Sequence, residues 1–84
     1  MTKKIKPKLY TLSTCLHCKA TKRFLKEQGI EYDCVDVDKL NGRERDEVRA
    51  EVMKLSGGRF PTIVIGKKVI IGFFEDKLRE ALGL

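Results

Sequence analysis

Long apolar runs are missing from this 84-residue sequence. Its longest mostly apolar stretches are short, Phe60 to Ile65 among them, and fall far short of the ~18–20 residues a membrane-spanning helix needs. Nothing in the first residues is expected to act as a secretory leader. Met1-Thr2-Lys3-Lys4-Ile5-Lys6-Pro7-Lys8 is basic with no apolar segment behind it, so it does not read as a signal peptide. The expectation is a cytoplasmic protein with no membrane partner. Cysteines number three, an odd count that does not suit a small secreted domain stapled by paired disulfides. With one histidine and no second C-x-x-C, the chain lacks the two ligand pairs of a structural zinc site, and no bound metal or cofactor is expected. Tryptophan is absent, and the aromatics are two tyrosines and four phenylalanines. A nucleic-acid binder would show a basic stripe with exposed aromatics or a known module. No nucleic-acid partner is expected, although the net charge is +6.

What is present is enough for one globular domain spanning residues 1–84, with residues 1–5 as a loose tail and a monomeric state expected. Lys6 to Leu12 reads as a first strand. Lys19 to Gln28 reads as a helix entered from the cysteine motif, with Leu16, Ala20, Phe24 and Leu25 at three- to four-residue spacing, the amphipathic signal. Gly29 ends it. Ile30 to Val37 reads as a second strand, with Tyr32 and Cys34 on one face and Val35 and Val37 on the other. A strand, a helical crossover and a strand make a parallel pair. Arg43 to Leu55 reads as a second helix with Val48, Val52 and Leu55 as its apolar stripe, stopped by Ser56-Gly57-Gly58. Ile63-Val64-Ile65 and Val69-Ile70-Ile71 flank Gly66-Lys67-Lys68 as a hairpin. Phe74 to Leu82 is a last helix, with Leu78, Ala81 and Leu82 facing the core. The implied class is α/β, in the order βαβαββα: a four-stranded mixed sheet flanked by three helices.

Chemistry concentrates in Ser13-Thr14-Cys15-Leu16-His17-Cys18, where the first strand hands over to the first helix. The first backbone N–H groups of a helix have no partner within it, and the helix dipole adds roughly half a positive charge there. A thiolate is stabilised at such a place, and the thiolate is the reactive form. Cys15 is therefore the candidate nucleophile. Cys18, one turn further in and less exposed, is the candidate resolving thiol that attacks a mixed disulfide on Cys15. Ser13 and Thr14 are both suitable N-cap types. His17 either supports the thiolate as a cation or is an exposed spacer. Lys19, Lys22, Arg23 and Lys26 read as a solvated helix face or as a field that favours the thiolate and an acidic partner. Cys34 reads as a small, half-buried apolar residue.

Three separated motifs carry a family resemblance: Cys15-Leu16-His17-Cys18 at the helix start, Phe60-Pro61 before the third strand, and Gly72-Phe73-Phe74-Glu75-Asp76-Lys77-Leu78 at the last helix. Together they make the chain, from about Lys8 to its end, similar to thioredoxin-fold proteins of the glutaredoxin family. The resemblance implies a thiol–disulfide oxidoreductase acting on disulfide-containing proteins or glutathione mixed disulfides, with glutathione as co-substrate or thioredoxin reductase as the electron donor. It implies a cis peptide at Pro61, with Phe60 and Pro61 flanking the substrate groove. Gly72, Phe73 and Asp76 fall where the family binds a glutathione carboxylate; Phe73 is otherwise core, and Asp76 otherwise a dipole-matching acid. Typical dithiol members resemble Cys-Pro-Tyr-Cys, Thr-Val-Pro and Gly-Gly-x-Asp-Asp. Gly72-Phe73 and Asp76-Lys77-Leu78 are closer to the NrdH redoxins, which thioredoxin reductase serves as electron donor. These departures bear on glutathione binding and not on the dithiol chemistry. The alternative that the resemblance implies is a carrier that bridges a metal or iron–sulfur cluster between two copies through Cys15 and Cys18.

Overall fold

Residues 6–84 are described by the structure, a computed structural model; the tail read from residues 1–5 lies outside the described residues. The elements run β1 (Lys8–Thr11), α1 (Leu16–Glu27), β2 (Asp33–Asp36), a single 3-10 turn (Val37–Lys39), α2 (Gly42–Ser56), β3 (Thr62–Ile65), β4 (Lys68–Ile71) and α3 (Glu75–Leu82). The strands form one sheet in the order β2-β1-β3-β4. β1 and β2 are parallel, with Leu9 opposite Cys34. β3 runs antiparallel to both β1 and β4.

Side chains alternate across the sheet, so each face needs its own cover. On one face Leu9, Ile63, Ile65 and Ile70 pack with Phe24 and Leu25 of α1 and Leu78 of α3. On the other, Tyr10 packs with Val37 and with Val52 of α2, and Val35, Val48, Leu55 and Val64 close the rim. Leu9, Leu25, Ile63 and Leu78 have no solvent-exposed surface; each such burial stabilises by roughly 1.5–3 kcal/mol. Tyr10 takes its hydroxyl into this packing and donates it to Glu51 Oε1 at 2.6 Å. This mixed four-stranded sheet with α1 and α3 on one face and α2 on the other is the thioredoxin fold that the motifs imply.

Several local expectations are corrected. α1 starts at Leu16 with Cys15 as its N-cap, not Ser13 or Thr14. Leu16 is 78% exposed, because it lies on the opposite side of the first turn of α1 from the buried Cys18. The buried stripe of α1 runs instead through Cys18, Thr21, Phe24 and Leu25. The second strand is shorter than Ile30 to Val37: Val37 swings into the 3-10 turn and buries itself beneath α2. Cys34 is exposed rather than half-buried. It lies on the α1 side of β2 opposite Leu9, but β2 is an edge strand and the helix cover stops short of it.

Candidate active site

Strand directions gather the motifs. β1 and β2 end together at Thr11 and Asp36. β3 begins beside that end, with Thr62 opposite Tyr10, and β4 finishes there, with Ile71 opposite Thr62. The segments Leu12–Cys18, Val37–Lys39, Ser56–Pro61 and Gly72–Asp76 therefore all leave one end of the sheet.

At this end the chain turns sharply: the Cys15 N–H donates to the Leu12 carbonyl at 3.1 Å, and the Cys15 carbonyl accepts from Lys19 N–H at 3.1 Å. Cys15 keeps an extended backbone, and its sulfur accepts the Cys18 N–H at 3.4 Å. A thiol thus fills the role that a serine or threonine oxygen usually has at an N-cap. The two cysteines differ in access. Cys15 is half-buried and Cys18 has no exposed surface. Burial pushes the Cys18 thiol up to about 12, helped by the adjoining Cys15 thiol; a backbone hydrogen bond at Leu12 and the charge of Lys22 pull the other way. Lys22 lies one helical turn beyond Cys18, on the same face.

Lys22 Nζ also sits 3.1 Å from Asp36 Oδ1, and Asp36 accepts the Thr11 hydroxyl at 2.5 Å. The Thr11 hydroxyl holds Asp36 below the usual carboxylate range, with Lys22 reinforcing it. Lys22 is shifted upward by Asp36 and by the neighbouring Cys34, against the effect of its own burial. Cys34 Sγ is 3.2 Å from Thr11 Oγ1. His17 is exposed on the first turn of α1, beside Leu16.

The Phe60–Pro61 peptide is cis. Pro61 is buried, while Phe60 is half-buried against the α2-side core, so much of Phe60 is core as well as groove. Ser56 holds this loop. Its hydroxyl accepts the Arg59 N–H at 3.3 Å and contacts the Thr62 hydroxyl at 2.6 Å. The Pro61 carbonyl accepts the Gly72 N–H at 2.9 Å, which joins the second and third motifs directly. Gly72 has φ +88°, and a β-carbon there would lie 3.0 Å from the Phe74 ring, so both its backbone and its surroundings call for glycine.

Phe73 turns inward and meets Phe24 edge-on, with ring centroids 6.2 Å apart; it is core on the α1–α3 side. Phe74 remains 52% exposed, and Lys77 Nζ sits 5.0 Å above its ring. Asp76 is exposed in the first turn of α3. A shallow depression of about 340 Å³ is lined by Phe73, Phe74, Glu75, Asp76 and Lys77. A larger one, about 550 Å³, lies at the opposite pole between Lys6, Lys26 and Tyr32, away from the cysteines.

Among the described residues, no three histidine, cysteine or carboxylate side chains gather into a metal-binding group, and no helix is long and apolar enough to cross a membrane. Three polar anchors escape a reading by motif: Ser56, the Lys22–Asp36 pair, and Asp38, which accepts the Ser13 N–H at 3.0 Å and the Ser13 hydroxyl. The two aspartates at alternate positions, Asp36 and Asp38, were the available signal, since acids at a strand end need partners. Ser56, within a helix stop, carried none.

A glutaredoxin family model matches residues 8–70. The uncharacterized glutaredoxin-like 8.6 kDa protein in the rubredoxin operon of Clostridium pasteurianum is 40% identical over 77 residues, covering 87% of this chain and 96% of that one. Glutaredoxin-like protein NrdH of Escherichia coli K12 is 28% identical over 73 residues, covering 86% and 83%. Among solved structures, Methanosarcina acetivorans methanoredoxin superposes with a TM-score of 0.90 at 37% identity, over 96% of this chain and 87% of that one.

Proposed function

This chain belongs to the glutaredoxin family of thiol–disulfide oxidoreductases, and we propose that it works as a dithiol reductase, with Cys15 attacking and Cys18 resolving. The observation that carries this reading is the asymmetry of the pair. One thiol is accessible at a helix N-cap, and the other is wholly buried and pushed up to about 12.

The Cys15 thiolate attacks one sulfur of a substrate disulfide. The substrate S–S bond breaks, a Cys15–substrate bond forms, and the departing sulfur leaves as a thiolate that takes up a proton. Within this mixed disulfide the Cys15 thiol and its charge no longer oppose ionisation of Cys18. Cys18 then loses its proton, with Lys22 one turn away favouring the thiolate, and attacks the Cys15 sulfur. The Cys15–Cys18 disulfide forms and the second substrate sulfur is released as a thiolate. Two electrons have passed from the protein to the substrate, and an external thiol or flavoprotein reductase restores them. Phe60 and Pro61 line the groove for the substrate backbone. His17 and the exposed Leu16 face the substrate at the rim.

The third motif supports a choice of electron donor. Phe73 stands where typical members have a second glycine, and its ring is committed to the core against Phe24. Phe74 and Lys77 crowd the start of α3. Both features favour a thioredoxin reductase over glutathione, in keeping with the similarity to NrdH. Gly72 and Asp76 then shape this corner for a protein partner. The protein acts in the cytoplasm as a single-domain monomer with no resident cofactor.

Two coupled assays of NADPH consumption test this, one with glutathione and glutathione reductase, the other with thioredoxin reductase alone. Turnover is expected with thioredoxin reductase and to vanish in Cys15→Ser. Turnover only with glutathione would overturn the donor assignment. Equal behaviour of parent and Cys15→Ser in both systems would overturn the dithiol mechanism itself.

A further inference from the structure

The geometry points to Asp38 as a positioning residue for Cys15: its carboxylate, acting through Ser13, holds the turn that presents the attacking thiol at the start of α1. Ser13 and Thr14 are the two central residues of the turn closed by the Cys15 N–H on the Leu12 carbonyl. A turn of this kind on an exposed loop has little to keep it in one place. Here both polar groups of its first central residue, the Ser13 N–H and hydroxyl, donate to the same Asp38 carboxylate. The carboxylate is itself anchored. Asp38 follows Val37, which is 3% exposed and packed with Tyr10 and Val52. It sits in a 3-10 turn whose last carbonyl bond is Leu40 N–H to Val37 at 3.2 Å. The chain of support runs from the core through Val37 to Asp38, then to Ser13, the turn and Cys15.

What depends on it is the N-cap geometry. The Cys15 sulfur accepts the Cys18 N–H only while Cys15 keeps its extended backbone at the helix entrance. Small displacements of a reacting group are costly in rate. A carboxylate close to the redox loop also has an opposite effect, because its negative charge disfavours a nearby thiolate. The two effects make different predictions for two substitutions. Asp38→Asn keeps an oxygen for the Ser13 N–H and offers an N–H to the Ser13 hydroxyl, without the charge. Asp38→Ala removes both. If position matters, asparagine rescues what alanine loses; if charge matters, the two variants behave alike and react faster than the parent.

The proposal rests on Cys15 being the attacking thiol, which Cys15→Ser tests by itself. The experiment measures coupled turnover with the full chain, and the rate of Cys15 alkylation by iodoacetamide in a Cys18→Ser/Cys34→Ser background. Asp38→Ala is expected to lower both rates roughly three- to tenfold, with Asp38→Asn within about twofold of the parent. Ser13→Ala should lose part of the rate, and adding it to Asp38→Ala should cost nothing further, since one contact is being removed twice. Parent-like rates in Asp38→Ala, equal rates in the alanine and asparagine variants, or additive losses in the double variant would each overturn the proposal. Thermal melts of the same variants separate a lost clamp from a lost fold. Failure of Cys15→Ser to abolish turnover would count against the dithiol mechanism instead.

Discussion

The buried thiol makes the sharpest quantitative claim. Cys18 has no exposed surface and titrates at about 12 instead of 9.0, because desolvation disfavours its thiolate. At pH 8, a thiol titrating at 9.0 is roughly one-tenth thiolate, and one titrating at about 12 is roughly one part in ten thousand. Alkylation runs through the thiolate, so native Cys18 should react on the order of a thousandfold more slowly than the same residue in denaturant. Iodoacetamide labelling of the reduced protein, with and without guanidinium and read by peptide mass spectrometry, measures this ratio with Cys18 as its own reference. Cys34, exposed on the edge of the sheet, serves as the native control that labels readily. A native-to-denatured ratio within about thirtyfold would refute the account of burial. The same shift has a stability consequence. A thiol whose folded value lies above its unfolded one favours folding below pH 9.0, and that contribution is lost as pH rises from 9.0 toward about 12. Cys18→Ala should therefore have a flatter stability profile than the parent across that alkaline range.

Ser56→Ala should destabilise by about 1–3 kcal/mol in urea unfolding, because the buried Ser56 hydroxyl supports both Arg59 N–H and Thr62 Oγ1. It should also raise KM for a protein disulfide, as the loop carrying Phe60 and Pro61 loosens; an unchanged midpoint would show that water replaces the hydroxyl. Asp36→Asn removes a carboxylate held below its usual range by Thr11 and Lys22. Such a group contributes stability above its unfolded value of 3.8, and loses it as pH falls through the lower folded value. The parent should thus exceed Asp36→Asn in melting temperature at pH 6–7, and the gap should close below pH 3.8; a gap independent of pH would contradict the ion pair.

Much of the architecture was legible before any coordinates. Periodicity located the three helices, since Val48, Val52 and Leu55 or Leu78, Ala81 and Leu82 can share a side only on a helix, and short apolar or β-branched runs bounded by turn residues located the four strands. Element ends were less legible. The helix run led by Leu16 looked amphipathic, yet Leu16 is exposed and Thr21 is buried, because the buried stripe runs through Cys18, on the opposite side of the first turn from Leu16. The strand at Ile30 to Val37 ends at Asp36, where Val37 turns out of the ladder and is buried under α2. Cys34 looked half-buried because alternation says which face a residue takes, but not whether that strand lies at an edge.

The sequence by itself determined the chemistry on offer. Two thiols spaced by one helical turn, a proline ahead of a strand and a glycine ahead of a helix are local features, and local sterics and the exposed helix N–H groups dictate what they can do. Only the tertiary structure decided how the two thiols divide the work. Burial sets the Cys18 thiolate apart, and burial depends on how α1 lies on β1 and β3. The same packing brings Pro61 to Gly72, Lys22 to Asp36 and Asp38 to Ser13 across 11 to 25 residues of chain. Such partners are chosen by strand order and register, which no short stretch of sequence contains.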